Sequence, residues 1–563
     1  MERGARSVQE GALGRLAGGW WSVRPLVRRA AEVLGGGPGP RGPGATRSTG
    51  DPPTPRAPDD QGRARASWQE ALAPLQDRIG LERPPTTQAG DLRASPPLAQ
   101  GDPSGERALL EAPLAERRRL LGPERPDTLA SLGNLATTLT GLGDLPTARR
   151  LLEEVLDAGR RALGPEDPHT LTLMNHLANV LVSQGDLPRA RALLEEVVAA
   201  RRRALGPDHP DTLTAVNNLA TTLVGSGDLA RARSLLEEVL AAQRLVLGPE
   251  HPHTLTSMNH LAGTRRAQGD AIGALPLNTE ALAARRRLLG PDHPETLGAM
   301  NDLAETLRSL GDLPGARALQ EEALSACRRA LGPEHPITLT LMNNLATTLR
   351  AQGDLDGARA MQGSVVAASR AALGPDHPGT LTAVNNLANI LMSQGELPGA
   401  LALDAEVLDA RRRALGPEHP DTLRSMNNLA EVLRAKGDLE DARALHEEVL
   451  AALRRALGPD HPDTLTSLNN LGLTLAALGD ASGARALHEE ALAGQRRTLG
   501  DDHPGTLASA INLANALRLS GDPSGARALQ EDALATLRRV LGPEHPDTLT
   551  CMNNLALTLA SQG

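Results

Sequence analysis

A Leu-Gly pair returns every 42 residues from Gly122 to Gly542, eleven times and without an insertion. Constant spacing of this kind means one structural unit copied in tandem, in which each copy stacks on its neighbours and on little else. The stretch from Leu205 to Gly248 can stand for the unit. Gly206-Pro207 reads as a helix stop, because glycine accepts the left-handed conformation at a helix C-terminus and proline cannot continue the helix. Pro210 suits the first turn of a new helix, where its missing N–H is no loss. Leu213, Val216, Leu219, Ala220 and Leu223 follow at helical spacing and predict a helix A over about 210–226. Gly227-Asp228 breaks it, with Asp228 placed to cap a helix B that carries Ala232, Leu235, Leu236, Val239, Leu240 and Leu247. Helix–turn–helix units in tandem predict an all-α fold, an α-solenoid in which antiparallel helix pairs form a superhelix with the A helices on its concave side.

The motif LG-x-x-HP-x6-NNLA, followed by GD-x3-A, stands here as LGPDHP at 205–210, NNLA at 217–220 and GDLARARSLLEEVL at 227–240. It resembles the tetratricopeptide (TPR) repeat in the 42-residue form of kinesin light chains. The usual unit has about 34 residues, so each helix is expected to be about one turn longer. The resemblance covers 122–563, as ten complete helix pairs and a final helix A.

Ahead of the repeats the material changes. Residues 1–58 include the Gly/Pro-rich run 35–58, which lacks the apolar side chains for a core and reads as disordered. Residues 20–34 could form an amphipathic helix with Arg24, Arg28 and Arg29 on one side, as a targeting sequence would. Glu2, Glu10 and Glu32 favour a plain extension instead. Residues 59–121 read as degenerate repeats forming an N-terminal cap.

Several function classes are excluded by composition. No apolar run is long enough for a membrane span. A net charge of −9 with both signs interspersed argues against nucleic acid as a partner. The two cysteines, Cys327 and Cys551, stand too far apart to meet, which suits a reducing, cytoplasmic setting. A phosphate-binding loop needs GKS or GKT, and the one lysine, Lys436, precedes Gly437. The histidines of the HP turns, His209 to His545, recur one repeat apart, too far to share a metal ion, and read as polar residues opening helix A. His446 and His488 on the B helices read as surface residues. With no nucleophile–base constellation, the chain is not expected to be an enzyme or to hold a cofactor or metal.

The asparagines are the remaining signal. A first Asn stands at Asn217, Asn259, Asn301, Asn343, Asn385, Asn427 and Asn469, mostly followed by a second. Asparagine is poor in helix interiors, so each must have a job. It either bonds between adjacent A helices or lines the groove and bonds the backbone of an extended peptide, since an amide both donates and accepts. Seven residues on, on the same helix face, stand Arg266, Arg308, Arg350 and Arg434. Guanidinium forks beside amides suit an extended acidic peptide. The kinesin light chain resemblance implies the same: a concave groove that takes cargo peptides, acidic ones among them, with the NNLA asparagines taking part. Residues 1–100 show no heptads of the kind that join those proteins to a motor. The expected function is a non-enzymatic scaffold or adaptor for protein partners. The alternatives are a self-associating structural solenoid and the sensor arm of a larger signalling ATPase.

Overall fold

The computed structural model describes residues 126–141 and 144–562, which form 21 α-helices. The expectations for residues 1–58 and 59–121 lie outside the described residues. In the reference unit helix A spans Pro210–Gly225 and helix B Leu229–Val246, within a residue or two of the sequence reading. Local chemistry sets these bounds. Pro210 is in the first turn, and His209 caps helix A by accepting the Asp211 N–H on its ring Nδ1 at 3.2 Å. Asp228 caps helix B by accepting the Arg231 N–H at 3.3 Å.

Gly206 ends the preceding helix B at φ 92 and ψ 165. The left-handed geometry expected there is replaced by positive φ with extended ψ, a region essentially restricted to glycine. A buried threonine ties this kind of turn to the helix after it, as where the Thr254 hydroxyl donates to the Gly248 carbonyl at 2.8 Å.

Each helix of a unit buries a small residue. Ala220 of the NNLA motif and Ala232 of the GD-x3-A motif are both fully buried, and larger side chains would hold the helices apart. Leucines and valines from both helices fill the space between successive units, so that over 129–239 and again over 275–410 one core passes from pair to pair. A helices of neighbouring units touch one another as well as their B helices, whereas among the described residues no two B helices form a comparable contact. The A helices therefore lie on the inside of the curve.

Arginines late in the B helices stitch units together. Arg201 donates to the Asp211 carbonyl of the next unit and Arg202 reaches Glu238 of the next unit at 3.0 Å, while Arg203 reaches back to Glu166 in the opening turn of its own unit at 2.6 Å. These runs complement the helix dipole as their position suggests, and they also act between units.

The curve brings the chain back against itself. His419 meets the Ser183 carbonyl, His461 the Gly225 carbonyl and His503 the Ala267 carbonyl, each 236 residues on.

Candidate peptide-binding face

The A-helix face is built by a ladder of amides. The Asn301 Oδ1 accepts from Asn344 Nδ2 at 2.9 Å, Asn343 Oδ1 from Asn386 Nδ2 at 2.8 Å, and Asn385 Oδ1 from Asn428 Nδ2 at 3.1 Å. The first Asn of one unit thus bonds the second Asn of the next. Where the second Asn is replaced, the partner changes but the rung remains: Asn217 meets His260 Nδ1 at 2.9 Å, and Asn259 donates to Asp302 Oδ2 at 2.7 Å. Asn469 donates instead to the Ser509 hydroxyl at 2.6 Å, and Asn427 Oδ1 faces His446. The inter-helix role of the first Asn is therefore observed. On Asn301, Asn343, Asn385 and Asn427 the Nδ2 group forms no hydrogen bond with any described residue.

One turn and two turns along the same helices lie the residues beside the ladder. Arg266 and Arg308 share one carboxylate, Glu305, at 3.3 and 2.7 Å. Arg434 pairs with Glu431 of its own helix at 2.6 Å. Arg350 has no carboxylate partner among the described residues. The residue is exposed, yet the surrounding protein and the neighbouring Arg308 pull its pKa down. A side chain in contact with water while ringed by protein belongs to a concave wall. Glu305 and Glu431 escaped the sequence reading, although each stands three residues before an arginine of the row, at ion-pair spacing on a helix.

Behind the ladder runs a second column. At one position of helix B the first units carry Leu152, Leu194 and Leu236, and later ones Asn278, Gln320, Gln362, Asp404, His446, His488 and Gln530. All are buried. His446 and His488, expected on the surface, are 0% and 1% exposed. They point inward because this position faces the next A helix, and each ring nitrogen Nδ1 reaches the first Asn of its own unit, Asn427 at 3.1 Å and Asn469 at 3.0 Å. Gln362 does the same, donating to Asn343 Oδ1 at 2.9 Å. The Asp404 carboxylate lies fully buried with neither oxygen hydrogen-bonded to a described residue, and burial pushes its pKa up to about 7. Burial pushes His488 down to about 4.

Both cysteines are free and buried. Among the described residues, no group of three or more His, Cys, Asp and Glu side chains is placed to hold a metal ion, and no helix is long and apolar enough to cross a membrane.

The tetratricopeptide repeat description matches residues 107–161, 127–203, 169–245, 216–287, 253–326, 296–371, 379–455 and 425–497, and a second tetratricopeptide repeat description matches 506–547. No curated protein matches the chain. Among solved structures, it is similar to nearly identical TPR-like repeats assigned to a kinesin light chain of Podosopora anserina. The identity is 30%, the match covers 37% of this chain and 97% of that one, and the TM-score is 0.33. A second structure of those repeats gives 30%, 37%, 98% and 0.32. BtubC (BKLC) from P. vanneervenii is 21% identical over 44% of this chain and 92% of its own, with a TM-score of 0.32.

Proposed function

The chain belongs to the tetratricopeptide repeat family of protein-interaction scaffolds, and from that premise we propose that its A-helix face holds extended acidic segments of partner proteins. The observation that carries this reading is Arg350, a guanidinium on the concave wall with no carboxylate partner among the described residues and a second guanidinium, Arg308, beside it. Two like charges held together repel, and a ligand carboxylate relieves that repulsion while accepting a bidentate hydrogen bond. Arg266 and Arg434 extend the row on either side, with Glu305 and Glu431 moderating it. The asparagines Asn217, Asn259, Asn301, Asn343, Asn385, Asn427 and Asn469 set the spacing of the wall. The open Nδ2 groups of Asn301, Asn343, Asn385 and Asn427 are in place to donate to the backbone carbonyls of an extended chain. The role is one of binding, without chemistry on the ligand.

A random peptide library displayed against the full chain tests this. The wild type is expected to enrich sequences rich in Asp and Glu, and Arg308→Gln/Arg350→Gln to lose them with its thermal unfolding unchanged. Equal enrichment by both proteins, or enriched peptides without acidic bias, would overturn the reading.

A further inference from the structure

The arginines of the inner wall are not equally provided for. Three residues before Arg308 and Arg434, on the same helices, stand Glu305 and Glu431, which close ion pairs at 2.7 and 2.6 Å. Three residues before Arg350 stands Thr347, whose hydroxyl donates to the Asn343 carbonyl at 3.1 Å. The following unit adds no carboxylate at these two positions, where it carries Asn389 and Met392. Arg308 and Arg350 hold the same place on adjacent helices, Pro294–Ser309 and Pro336–Ala351. The rung from Asn344 to Asn301, at 2.9 Å, ties those helices side by side.

The charges over these units do not cancel. Arg266 and Arg308 share Glu305, and Arg350 stands beside them. Asp302 lies deeper, bonded into the ladder by Asn259 Nδ2 at 2.7 Å; burial pushes its pKa up, against the pull of Arg266 and Arg285. At the wall three guanidiniums therefore meet one carboxylate, and three less one leaves two positive charges for a ligand. An aspartate or glutamate side chain neutralises one of them. A phosphorylated side chain carries about −1.5 to −2 at pH 7 and presents three acceptor oxygens. That is enough for both guanidiniums to donate paired hydrogen bonds to one group.

We propose that Arg308 and Arg350 together take a dianionic group, a phosphorylated serine or threonine of the partner protein. The Nδ2 groups of Asn301 and Asn343 stand on the same two helices without a hydrogen bond to any described residue, and serve the backbone of that segment. This deepens the acidic-peptide reading and rests on it.

The test titrates the full chain into three fluorescein-labelled degenerate peptide pools with identical flanks, centred on serine, glutamate or phosphoserine, and follows anisotropy. At pH 7 the phosphoserine pool is expected to bind about tenfold tighter than the glutamate pool, and the glutamate pool tighter than the serine pool. The phosphoserine advantage should shrink towards pH 5, as the group passes its second pKa of about 6 and becomes a monoanion. Thr347→Glu supplies Arg350 with a carboxylate at the place where Glu305 and Glu431 supply theirs, so the chain's own repeats accommodate it. It should bring the phosphoserine pool down to the glutamate pool with the thermal melt unchanged, and Arg350→Gln should do the same. Equal binding of the phosphoserine and glutamate pools, both tighter than serine, would overturn this inference and leave the acidic-peptide reading standing. Three pools bound alike would overturn both. A phosphoserine advantage that survives Thr347→Glu and Arg350→Gln would put the phosphate elsewhere on the chain, and would overturn the inference as well.

Discussion

His488 should make the neighbouring repeats acid-labile. Its imidazole is 1% exposed, Nδ1 lies 3.0 Å from Asn469 Oδ1, and burial lowers its pKa from 6.5 to about 4. The neutral ring donates from Nδ1 to that oxygen, and a proton on the remaining nitrogen would place a charge in a core that cannot solvate it. Because the folded pKa lies below the unfolded one, the contribution to stability is intact above pH 6.5. It declines as the unfolded chain takes up the proton, and is gone once pH has fallen through about 4. The interval corresponds to about 3 kcal/mol. In a solenoid this loss is local, since each unit's stability depends on its own helices and its neighbours. Hydrogen exchange in Pro462–Leu478 and Ala481–Leu499 should therefore report it. The control is His488→Gln, because glutamine occupies the same place at Gln362 and Gln530 and does not titrate. Protection of the wild type relative to this variant is expected to fall by about 3 kcal/mol between pH 7 and pH 4. A difference that stays constant over that range would show that the imidazole is not desolvated as its packing implies, and would refute the reasoning.

Asp404 works in the opposite direction. Its folded pKa is raised to about 7, so its contribution is full below the unfolded value near 4 and is lost as pH rises through 7. Asp404→Asn should flatten that decline, about 4 kcal/mol over the interval, in hydrogen exchange of Leu397–Leu415. Glu305→Gln should leave Arg266 and Arg308 without their shared carboxylate, tighten binding of an acidic peptide and steepen its salt dependence in fluorescence anisotropy. Unchanged or weaker binding would count against the arginine row.

What the sequence made legible follows the range over which each signal acts. Gly206, Pro210 and Asp228 announce helix ends through their own backbone and capping chemistry, so the element boundaries could be read within a unit. The amide ladder was readable only as two alternatives. Asn301 and Asn344 are 43 residues apart, and whether such a pair bonds depends on how far one A helix is displaced along the next. The buried column was misread for a different reason. Considered singly, His446 and His488 are polar residues on an amphipathic helix, and polar residues usually face water. Compared down the repeats, their position is that of Leu152, Leu194 and Leu236, which belong to the core. A tandem sequence thus carries its own internal comparison, and each position's burial should be inferred from all its copies together.

The contact between distant turns, as of His419 with the Ser183 carbonyl, lies beyond even that comparison. Gly185 and Gly353 are the same residue in the same local geometry, yet one is covered by Pro420 and the other is open. The contact on Gly185 forms only because the small rotation from unit to unit has accumulated into a full turn by Pro420. Such a contact constrains every unit between its two halves, because a change in rotation at any of them moves His419 away from Ser183. The three contacts of this kind, at His419, His461 and His503, therefore make the pitch of the superhelix, and with it the spacing of Arg308 and Arg350 on the inner wall, a collective property of the intervening repeats.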